Sequence, residues 1–391
     1  MDQQTYFDQF DHGPDRNGTG CLKWDAMSRI YGREGLLPLW VADMDFESPA
    51  CVREALVARA AHGIYGYPEG EEGAINAACA WMEKRHGLRV APEQALLSPG
   101  VVDSLAMAIC AYTSETDTVV VQPPIYGPFE FSVKNTGRRI AYNPLKHENG
   151  VWTIDLEDLE SHFKQGAKML LFCSPHNPTG RVWSPEELRS VSDLCRRYSV
   201  RLITDEIHAD IELPGHHHTP ILSVDDTAIA FISATKTFNL AGLRCSTMLF
   251  GRDEDKKAMQ AYLTRIGQGE VNIFGMLAQQ AAYEGGAEWL DALLQYIAET
   301  DRQVNAFVKA EMPGVGITEL QGTYLKWLDF SCLGMDQEAL RNFMVHKCGV
   351  ALTGGDFFTR WGTGFMRVNL ATPRANVMRG LKQIAEQIRL L

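Results

Sequence analysis

The sequence has no excess of positive charge and no long apolar run. Its 37 Lys and Arg residues are outnumbered by 49 Asp and Glu residues, so the formal net charge is −12. This acidic balance argues against nucleic acid or an anionic membrane surface as the main partner. No apolar run approaches the roughly 20 residues that a membrane-spanning helix needs. Residues 1–13 are acidic and have neither the basic nor the apolar stretch of a secretory signal, so we expect none there.

The sequence also lacks paired cysteines. None of its nine cysteines forms the C-x-x-C spacing used in zinc and redox sites, and most lie inside apolar segments such as AMAICAYT and LLFCSP. We therefore expect buried thiols in a reducing cytoplasm. Three adjacent histidines, 216–218, do not converge easily on one ion, so they predict a solvated loop and no metal site.

Five short, nearly continuous apolar runs dominate the middle of the chain. They are residues 118–124, 168–175, 201–206, 229–235 and 246–251. Such runs are typical of strands that are buried on both faces of a parallel sheet. Between the second and third runs, Ser184, Pro185 and Glu187 form the signature of a helix N-terminus. Alternating strands and helices predict an α/β fold with a mainly parallel sheet and helices on both faces.

The C-terminal part has a different pattern. Residues 276–307 are helical in periodicity, with one break at Gly285-Gly286, and short strands mixed with helices follow. We predict a large domain over residues 46–285 and a small α+β domain over residues 286–391. An N-terminal segment, residues 1–45, is expected to pack with the small domain.

Polar residues follow three of the predicted strands. They occupy positions 174–180 (SPHNPTG), 205–208 (DEIH) and 233–236 (SATK). Ligands of open parallel sheets bind at the carboxyl ends of the strands, so we expect these residues to meet there. Upstream, Gly100 precedes an apolar helix whose free N–H groups would form an anion site at the same edge.

Four motifs carry a family resemblance. They are SPHNPTG, TDEIHAD, SATKTFNLAGLR and FMRVNLATPR, in this order. Together they resemble the fold-type I pyridoxal-phosphate enzymes of the aminotransferase class I/II superfamily. The segments LPLWVADMDF and YGYPEG resemble its cystathionine β-lyase-like branch of carbon–sulfur lyases, the maltose-regulon-modulator type. The resemblance runs from about Trp24 to Arg374 and implies a fold with a seven-stranded type of sheet and pyridoxal 5′-phosphate as cofactor.

The resemblance makes Lys236 the catalytic residue. Pyridoxal phosphate needs an amine that holds it as a Schiff base and later moves protons, and one lysine can do both. A surface lysine is the alternative, which the neighbouring hydroxyl residues disfavour. Asp205 would lie under the pyridine nitrogen and keep it protonated, so that the ring can accept electrons. Asp205 could instead cap the helix that follows.

Other cofactor contacts are implied by the same resemblance. Asn177 and His208 would lie near the 3′ oxygen, and Tyr126 would stack on the ring. The phosphate would be bound by helix N–H groups, a hydroxyl and a guanidinium, from Gly100, Val101, Val102, Ser233 and Arg244. Tyr67 of a neighbouring subunit would reach this phosphate, with Tyr65 as the competing candidate. The enzyme would then be a homodimer with shared active sites.

Substrate contacts are implied near the C-terminal end of the chain. Arg367 would bind the substrate α-carboxylate through a bidentate contact, although a salt bridge at a strand edge is its alternative reading. Trp40 or Ala42 would form a wall beside it. Asp43 and Asp45 are expected to be structural.

The implied reaction is an α,β-elimination. L-Cystathionine or a related S-substituted cysteine would be converted to a thiol (homocysteine for cystathionine), pyruvate and ammonia. Transamination of an amino acid uses the same residues and differs in where the proton returns, so it remains an alternative. A regulatory or partner-binding protein that holds pyridoxal phosphate is a second alternative, but the chain has no basic N-terminal helix-turn-helix.

Overall fold

The computed structural model describes residues 3–148, 150–268 and 270–391. The strands are β1 Leu37–Pro38, β2 Ala95–Ser98, β3 Thr118–Val121, β4 Arg139–Tyr142, β5 Lys146–Glu148, β6 Val151–Thr153, β7 Met169–Cys173, β8 Arg201–Asp205, β9 Ile229–Ile232, β10 Ser246–Phe250, β11 Gly316–Ile317, β12 Leu325–Asp329, β13 Val350–Ala351, β14 Thr353–Gly354 and β15 Phe365–Asn369. The helices are α1 Gln3–Asp11, α2 Leu22–Asp25, α3 Met27–Tyr31, α4 Ala50–His62, α5 Glu71–His86, α6 Val101–Tyr112, α7 Gly127–Asn135, α8 Leu156–Lys164, α9 Pro185–Tyr198, α10 Ala234–Thr237, α11 Asp253–Arg265, α12 Ile273–Gly285, α13 Ala287–Glu311, α14 Gln337–Asn342 and α15 Arg374–Ile388. Among the residues so described, no helix is both long and apolar enough to cross a membrane.

A seven-stranded sheet holds the larger part of the chain together. Its order is β2-β10-β9-β8-β7-β3-β4. The four pairings from β9 to β4 are parallel, whereas β10 is antiparallel to both β2 and β9. The five predicted strands are confirmed as β3, β7, β8, β9 and β10, and so is the mainly parallel α/β fold. The reversed direction of β10 was not predicted, because a continuous apolar run indicates burial on both faces and not direction.

Apolar side chains cover both faces of this sheet. On β7, Leu170 and Phe172 belong to one buried cluster, and Met169 and Leu171 belong to another on the opposite face. This alternation follows from the two-residue period of a strand. Helices pack over both clusters, as predicted. The predicted helix N-terminus is also confirmed, because α9 begins after Ser184 with a complete capping box.

A second sheet of four strands lies in the C-terminal part. Its order is β11-β12-β15-β14, and α13, α14 and α15 belong to the same part of the chain. The predicted helix break occurs at Gly286, where an added Cβ would lie 2.4 Å from Cε1 of the Phe238 ring. The N-terminal segment contacts this part, since β1 pairs in parallel with β13 and α1 packs on α13. The predicted boundaries at residues 45 and 285 stay predictions.

A buried ionic cluster anchors the N-terminal segment. The Lys23 Nζ atom is fully buried and lies 2.8 Å from Asp45 Oδ2. Arg16 contacts both Asp43 Oδ2, at 2.8 Å, and Asp45 Oδ1, at 2.7 Å. Burial raises the pKa of Asp45, but Lys23, Trp24 and Arg16 outweigh it and the pKa is lowered. The two carboxylates therefore have the structural role expected of them, which is to fix the backbone on either side of residue 44.

Candidate active site

A cavity of about 320 Å³ lies where β7, β8 and β9 end and α6 begins. Its lining contains ten of the predicted site residues: Ala42, Gly100, Val101, Val102, Tyr126, Asn177, Asp205, His208, Lys236 and Arg244. The carboxyl edge of a parallel sheet is the expected place for such a cavity. The fold thus brings together residues that are up to about two hundred positions apart in the chain.

Lys236 is buried in this cavity on α10. Its Nζ atom donates a hydrogen bond to the Ala42 carbonyl oxygen at 2.6 Å. Burial lowers the pKa of Lys236 to about 8, against the opposing effects of Asp43 and Asp205. A substantial fraction of the amine is therefore neutral near physiological pH, as a nucleophile or a general base requires.

Asp205 ends β8 and is buried on the floor of the same cavity. Its Oδ1 atom accepts a hydrogen bond from the Ile207 N–H at 3.0 Å. Residues 207–210 form a turn and no helix follows Asp205 directly, so its alternative role as a helix cap is wrong. Burial raises the pKa of Asp205 to about 7, and the neighbouring Glu206 raises it further against Lys236. A buried carboxylate in this state would be stabilised by a cationic N–H donor, such as a protonated pyridine nitrogen.

His208 and Asn177 form another part of the wall. Burial lowers the pKa of His208 well below its usual value, and the cations of Lys236 and Arg367 lower it further, so the imidazole is neutral. Its buried Nδ1 atom has no hydrogen-bond partner within the described ranges. Such an unpartnered polar atom is costly unless a ligand group satisfies it. The cavity wall therefore fits a polar ligand atom next to His208, as predicted for the 3′ oxygen.

The other end of the cavity is suited to an anion. The N–H groups of the first turn of α6, from Val101, have no partner within the helix. Arg244 also lines this end, with φ of 50° in the left-handed region, and its side chain is more than half exposed. Its Nη2 atom lies 2.8 Å from Asp103 Oδ2. A phosphate bound here would meet both helix N–H groups and a guanidinium, although it would share the latter with Asp103.

Three residues predicted to contact the phosphate lie outside the cavity. Ser233 is buried behind the lining, where its hydroxyl donates to the Cys245 carbonyl oxygen at 2.7 Å, and Thr235 lines the cavity instead. Tyr67 is 95% exposed. Tyr65 is 58% exposed and donates through its hydroxyl to the Ala60 carbonyl oxygen at 2.8 Å. The roles of Ser233, Tyr65 and Tyr67 stay predictions, and either tyrosine is accessible to a second subunit.

A second cavity, of about 570 Å³, adjoins the first. Ala42, Tyr126 and Lys236 line both. Arg367, on β15, is buried in the second one and donates to Asn177 Oδ1 at 3.0 Å and to the Trp40 carbonyl oxygen at 3.2 Å. Burial lowers the pKa of Arg367 to about 10.

Arg367 has no acidic partner within the described part of the chain. Its protein acceptors are the neutral oxygens of Asn177, Trp40 and Thr353. A buried guanidinium without a counter-ion is expensive, and a carboxylate of a ligand would supply the missing charge. The geometry therefore favours the predicted carboxylate contact over the salt bridge that was its alternative.

Sequence reasoning missed two polar residues of the site. The Tyr324 hydroxyl donates to the Ala42 carbonyl oxygen at 3.0 Å, which is the atom that also accepts from Lys236. Thr353 donates to the Trp40 carbonyl oxygen at 2.8 Å. Both residues lie in or next to short strands where a single tyrosine or threonine is ordinary, so no local signal marks them. Their contacts with the Ala42 and Trp40 carbonyl oxygens arise only because the fold brings distant segments of the chain together.

The prediction of a solvated histidine loop is wrong for His218. This residue is buried, and its Nε2 atom lies 3.1 Å from Glu206 Oε2. Its ring is 5.6 Å from that of His86, which contacts Asp210 Oδ1 at 2.8 Å. Burial lowers the pKa of His86, but Asp210 outweighs it and the pKa is raised. The sequence did contain an indication that His218 is buried. Glu206 follows a buried strand directly, and a carboxylate at such a position requires a buried partner.

Comparison with known proteins gives matches over nearly the whole chain. A family model described as aminotransferase class I and II matches residues 34–384. The chain is 40% identical to cystathionine beta-lyase PatB of Bacillus subtilis, covering 96% of this chain and 98% of PatB. It is 32% identical to protein MalY of Escherichia coli, and the match covers 96% of this chain and 97% of MalY. The solved structure of cystalysin from Treponema denticola, which contains a pyridoxal 5′-phosphate cofactor, has a TM-score of 0.94 at 32% identity, covering 97% of this chain and 98% of cystalysin.

Proposed function

This chain belongs to the aminotransferase class I and II family, and we propose that it is a pyridoxal-phosphate-dependent carbon–sulfur β-lyase acting on L-cystathionine or a related S-substituted cysteine. One observation carries the proposal. Lys236, with its pKa lowered to about 8, stands at the junction of two cavities, one fit for the cofactor and one for a substrate carboxylate. The similarity to cystathionine beta-lyase PatB supports the type of reaction.

The residues of the smaller cavity fit the cofactor. Asp205 would contact the ring nitrogen, Tyr126 one ring face, and His208 with Asn177 the 3′ oxygen. The first turn of α6 and Arg244 would bind the phosphate, and Lys236 would hold the cofactor covalently. When bound, pyridoxal phosphate supplies an electron sink that accepts the charge left at the substrate Cα when its proton is removed.

The protein's own groups perform the remaining steps. Arg367 binds the α-carboxylate of the substrate and so fixes Cα beside the amine of Lys236. Once the substrate's amine had taken the place of Lys236 on the cofactor, the lysine would be free; in its neutral form it takes the Cα proton and becomes an ammonium. The Cβ–S bond then breaks, the electron pair leaves with sulfur, and Lys236 returns a proton to the departing thiolate. Lys236 would then take its place on the cofactor again and free 2-aminoacrylate, which water converts to pyruvate and ammonia.

We also propose a homodimer with shared active sites and a cytoplasmic location. The dimer is supported by four exposed apolar or aromatic side chains within eleven consecutive residues at and after the end of α4: Val57, Ile64, Tyr65 and Tyr67. Large exposed apolar patches mark interaction sites. The location is supported by the nine cysteines, all of which are free thiols, as is usual in reducing compartments.

The proposed function is tested by incubating the holoenzyme with L-cystathionine without any keto acid. We expect homocysteine and pyruvate in equal amounts. Lys236→Ala is expected to lose about three or more orders of magnitude in kcat, because nucleophile and proton carrier disappear together. The exposed Lys382→Ala serves as control and should behave as the wild type. Turnover that occurs only after a keto acid is added would show a transaminase instead.

A further inference from the structure

The larger cavity extends away from the reacting groups toward a charged rim. Lys236 and Arg367 lie at its inner end. Its walls are apolar or aromatic, from Leu22, Ile30, Trp40, Leu352 and Phe357. Its volume of about 570 Å³ lies within the range of small-molecule sites and exceeds what a three-carbon amino acid needs. The extra space must therefore accommodate the group that is attached to the substrate's sulfur.

Besides Lys236 and Arg367, two opposite charges line this cavity. Arg341, in the last turn of α14, contacts Asp356 Oδ2 through its Nη2 atom. The two side chains are 41% and 43% exposed, so each keeps one side open to the cavity or to solvent. Gly354 leaves the room that the pair occupies, since a Cβ at this position would lie 2.7 Å from Asp356 Oδ1.

The ion pair has little structural purpose where it stands. Exposed pairs of this kind contribute about 0–1 kcal/mol to stability. Nor does it close the cavity, because both residues line it. Charges that are held at the wall of a substrate cavity, and are not needed for folding, are available to a ligand.

Arg341 and Arg367 act on one shared neighbour, Tyr31. Burial raises the pKa of Tyr31, and the two guanidinium groups both oppose that rise. Tyr31 lines the same cavity and donates through its hydroxyl to the Leu352 carbonyl oxygen at 3.3 Å. One cavity therefore offers two guanidinium groups near the same tyrosine, and the Asp356 carboxylate lies beside one of them, Arg341.

We propose that Arg341 and Asp356 form a distal subsite that selects substrates whose sulfur carries a second amino acid. This inference rests on the proposed function. With the reacting α-carboxylate on Arg367, the distal carboxylate would replace Asp356 as a partner of Arg341, and the distal ammonium would bind Asp356. The methylene groups around sulfur would lie along the apolar wall of Leu22, Ile30 and Phe357. Bis-amino-acid thioethers and disulfides are thereby favoured over simple S-alkylcysteines.

The test compares kcat/KM of three substrates on the holoenzyme. L-Cystathionine carries both distal charges, S-(2-carboxyethyl)-L-cysteine only the carboxylate, and S-ethyl-L-cysteine neither. Arg341→Met should lower kcat/KM about ten- to a hundredfold for the first two, mainly through KM, and leave S-ethyl-L-cysteine within about twofold. Asp356→Asn should lower it for L-cystathionine alone. Arg389→Met, which breaks the similarly exposed Arg389–Glu311 pair outside this cavity, is the matched control.

A binding measurement removes the dependence on turnover. In cofactor-loaded Lys236→Ala protein, calorimetric titration with L-cystathionine should show a weaker Kd when Arg341→Met is added. An equal loss on all three substrates, or no loss on any, would overturn the subsite. If the wild type releases pyruvate from none of them, the lyase function itself is refuted. The two outcomes differ because a failure of the subsite alone leaves pyruvate release by the wild type intact.

Discussion

At the residue scale, one physical cause shifts the pKa values of the two principal ionisable groups of the site. Burial in a cavity of low polarity disfavours charge, so it lowers the pKa of Lys236 to about 8 and raises that of Asp205 to about 7. The amine gains the neutral form that it needs for proton transfer. The carboxylate, in contrast, is held in a state that a further cationic partner would stabilise. The protein without cofactor therefore carries an energetic cost at Asp205 that cofactor binding removes.

This cost predicts an unusual phenotype for Asp205→Asn. The folded pKa of about 7 lies above the ordinary value of 3.8, so the folded state binds more protons than the unfolded chain between these pH values. Stability of the apoprotein thus falls as pH rises through that window. Near pH 4, the apoproteins of Asp205→Asn and the wild type should have almost the same free energy of unfolding. At pH 8, the free energy of unfolding of the Asp205→Asn apoprotein should be higher by about 2–4 kcal/mol. Urea unfolding of the two apoproteins across this pH range measures it.

The same substitution, Asp205→Asn, should weaken binding of the cofactor. An asparagine has no charge to offer a protonated ring nitrogen, so the Kd for pyridoxal phosphate should rise at least about tenfold. The exposed Asp193→Asn is the control for both measurements and should change neither. A less stable Asp205→Asn apoprotein at pH 8 would contradict the assignment of Asp205 as a buried, unpaired carboxylate.

At the scale of the element, the segment between β1 and α4 determines the geometry of the site. It supplies the carbonyl oxygens of Trp40 and Ala42, which accept from Arg367 and Lys236. The backbone just after them is fixed by the cluster of Lys23, Arg16 and Asp45. A segment with little secondary structure is thus held in place by buried charges.

Removing the central carboxylate of that cluster should be costly. Asp45→Ala leaves the fully buried Lys23 with only Asp43, whose Oδ1 atom is 3.7 Å away. Breaking one partner of a buried ion pair costs about 3–5 kcal/mol, and we expect that loss in the free energy of unfolding. Asp253→Ala, which breaks an exposed pair with Lys257, should cost less than about 1 kcal/mol. Similar losses in both variants would show that the cluster does not anchor the segment.

The elements differ in how far the sequence predicts them. Strands and the start of α9 were predictable because apolar runs and capping residues act locally. The direction of β10, the burial of His218 and the contact of Tyr324 with Ala42 depend on which segments meet in space. The chemical roles of the motif residues in the cavity were predictable only through family resemblance. Composition and spacing alone located a ligand site at the strand ends, without its chemistry.

At the scale of the whole molecule, the chain exposes several apolar side chains at and just after the end of α4. Val57, Ile64 and Tyr67 are 69%, 66% and 95% exposed. The cost of this exposure is removed if a second copy covers the patch. Neither Tyr65 nor Tyr67 lines the smaller cavity of its own subunit, so a role for either tyrosine at the phosphate would require a second copy.

Two variants test the two parts of the dimer prediction, which are the contact between subunits and the contact with the partner's phosphate. Ile64→Glu should convert a dimer to a monomer, because it places a charge in the apolar contact, and sedimentation velocity measures the change. Tyr67→Phe should leave the dimer intact but raise the Kd for pyridoxal phosphate several-fold, if its hydroxyl reaches the partner's phosphate. Leu390→Glu, at another exposed apolar position, should alter neither property. A wild type that sediments as a monomer would refute the shared site.

A single oxygen atom joins the three parts of this molecule. The Ala42 carbonyl belongs to the N-terminal segment, Lys236 follows a strand of the seven-stranded sheet, and Tyr324 directly precedes a strand of the four-stranded sheet. A hydrogen-bond acceptor favours the charged form of an amine, so stretching this contact makes the free Lys236 a weaker base. A movement that separated the two sheets would stretch at least one of the two contacts to this oxygen.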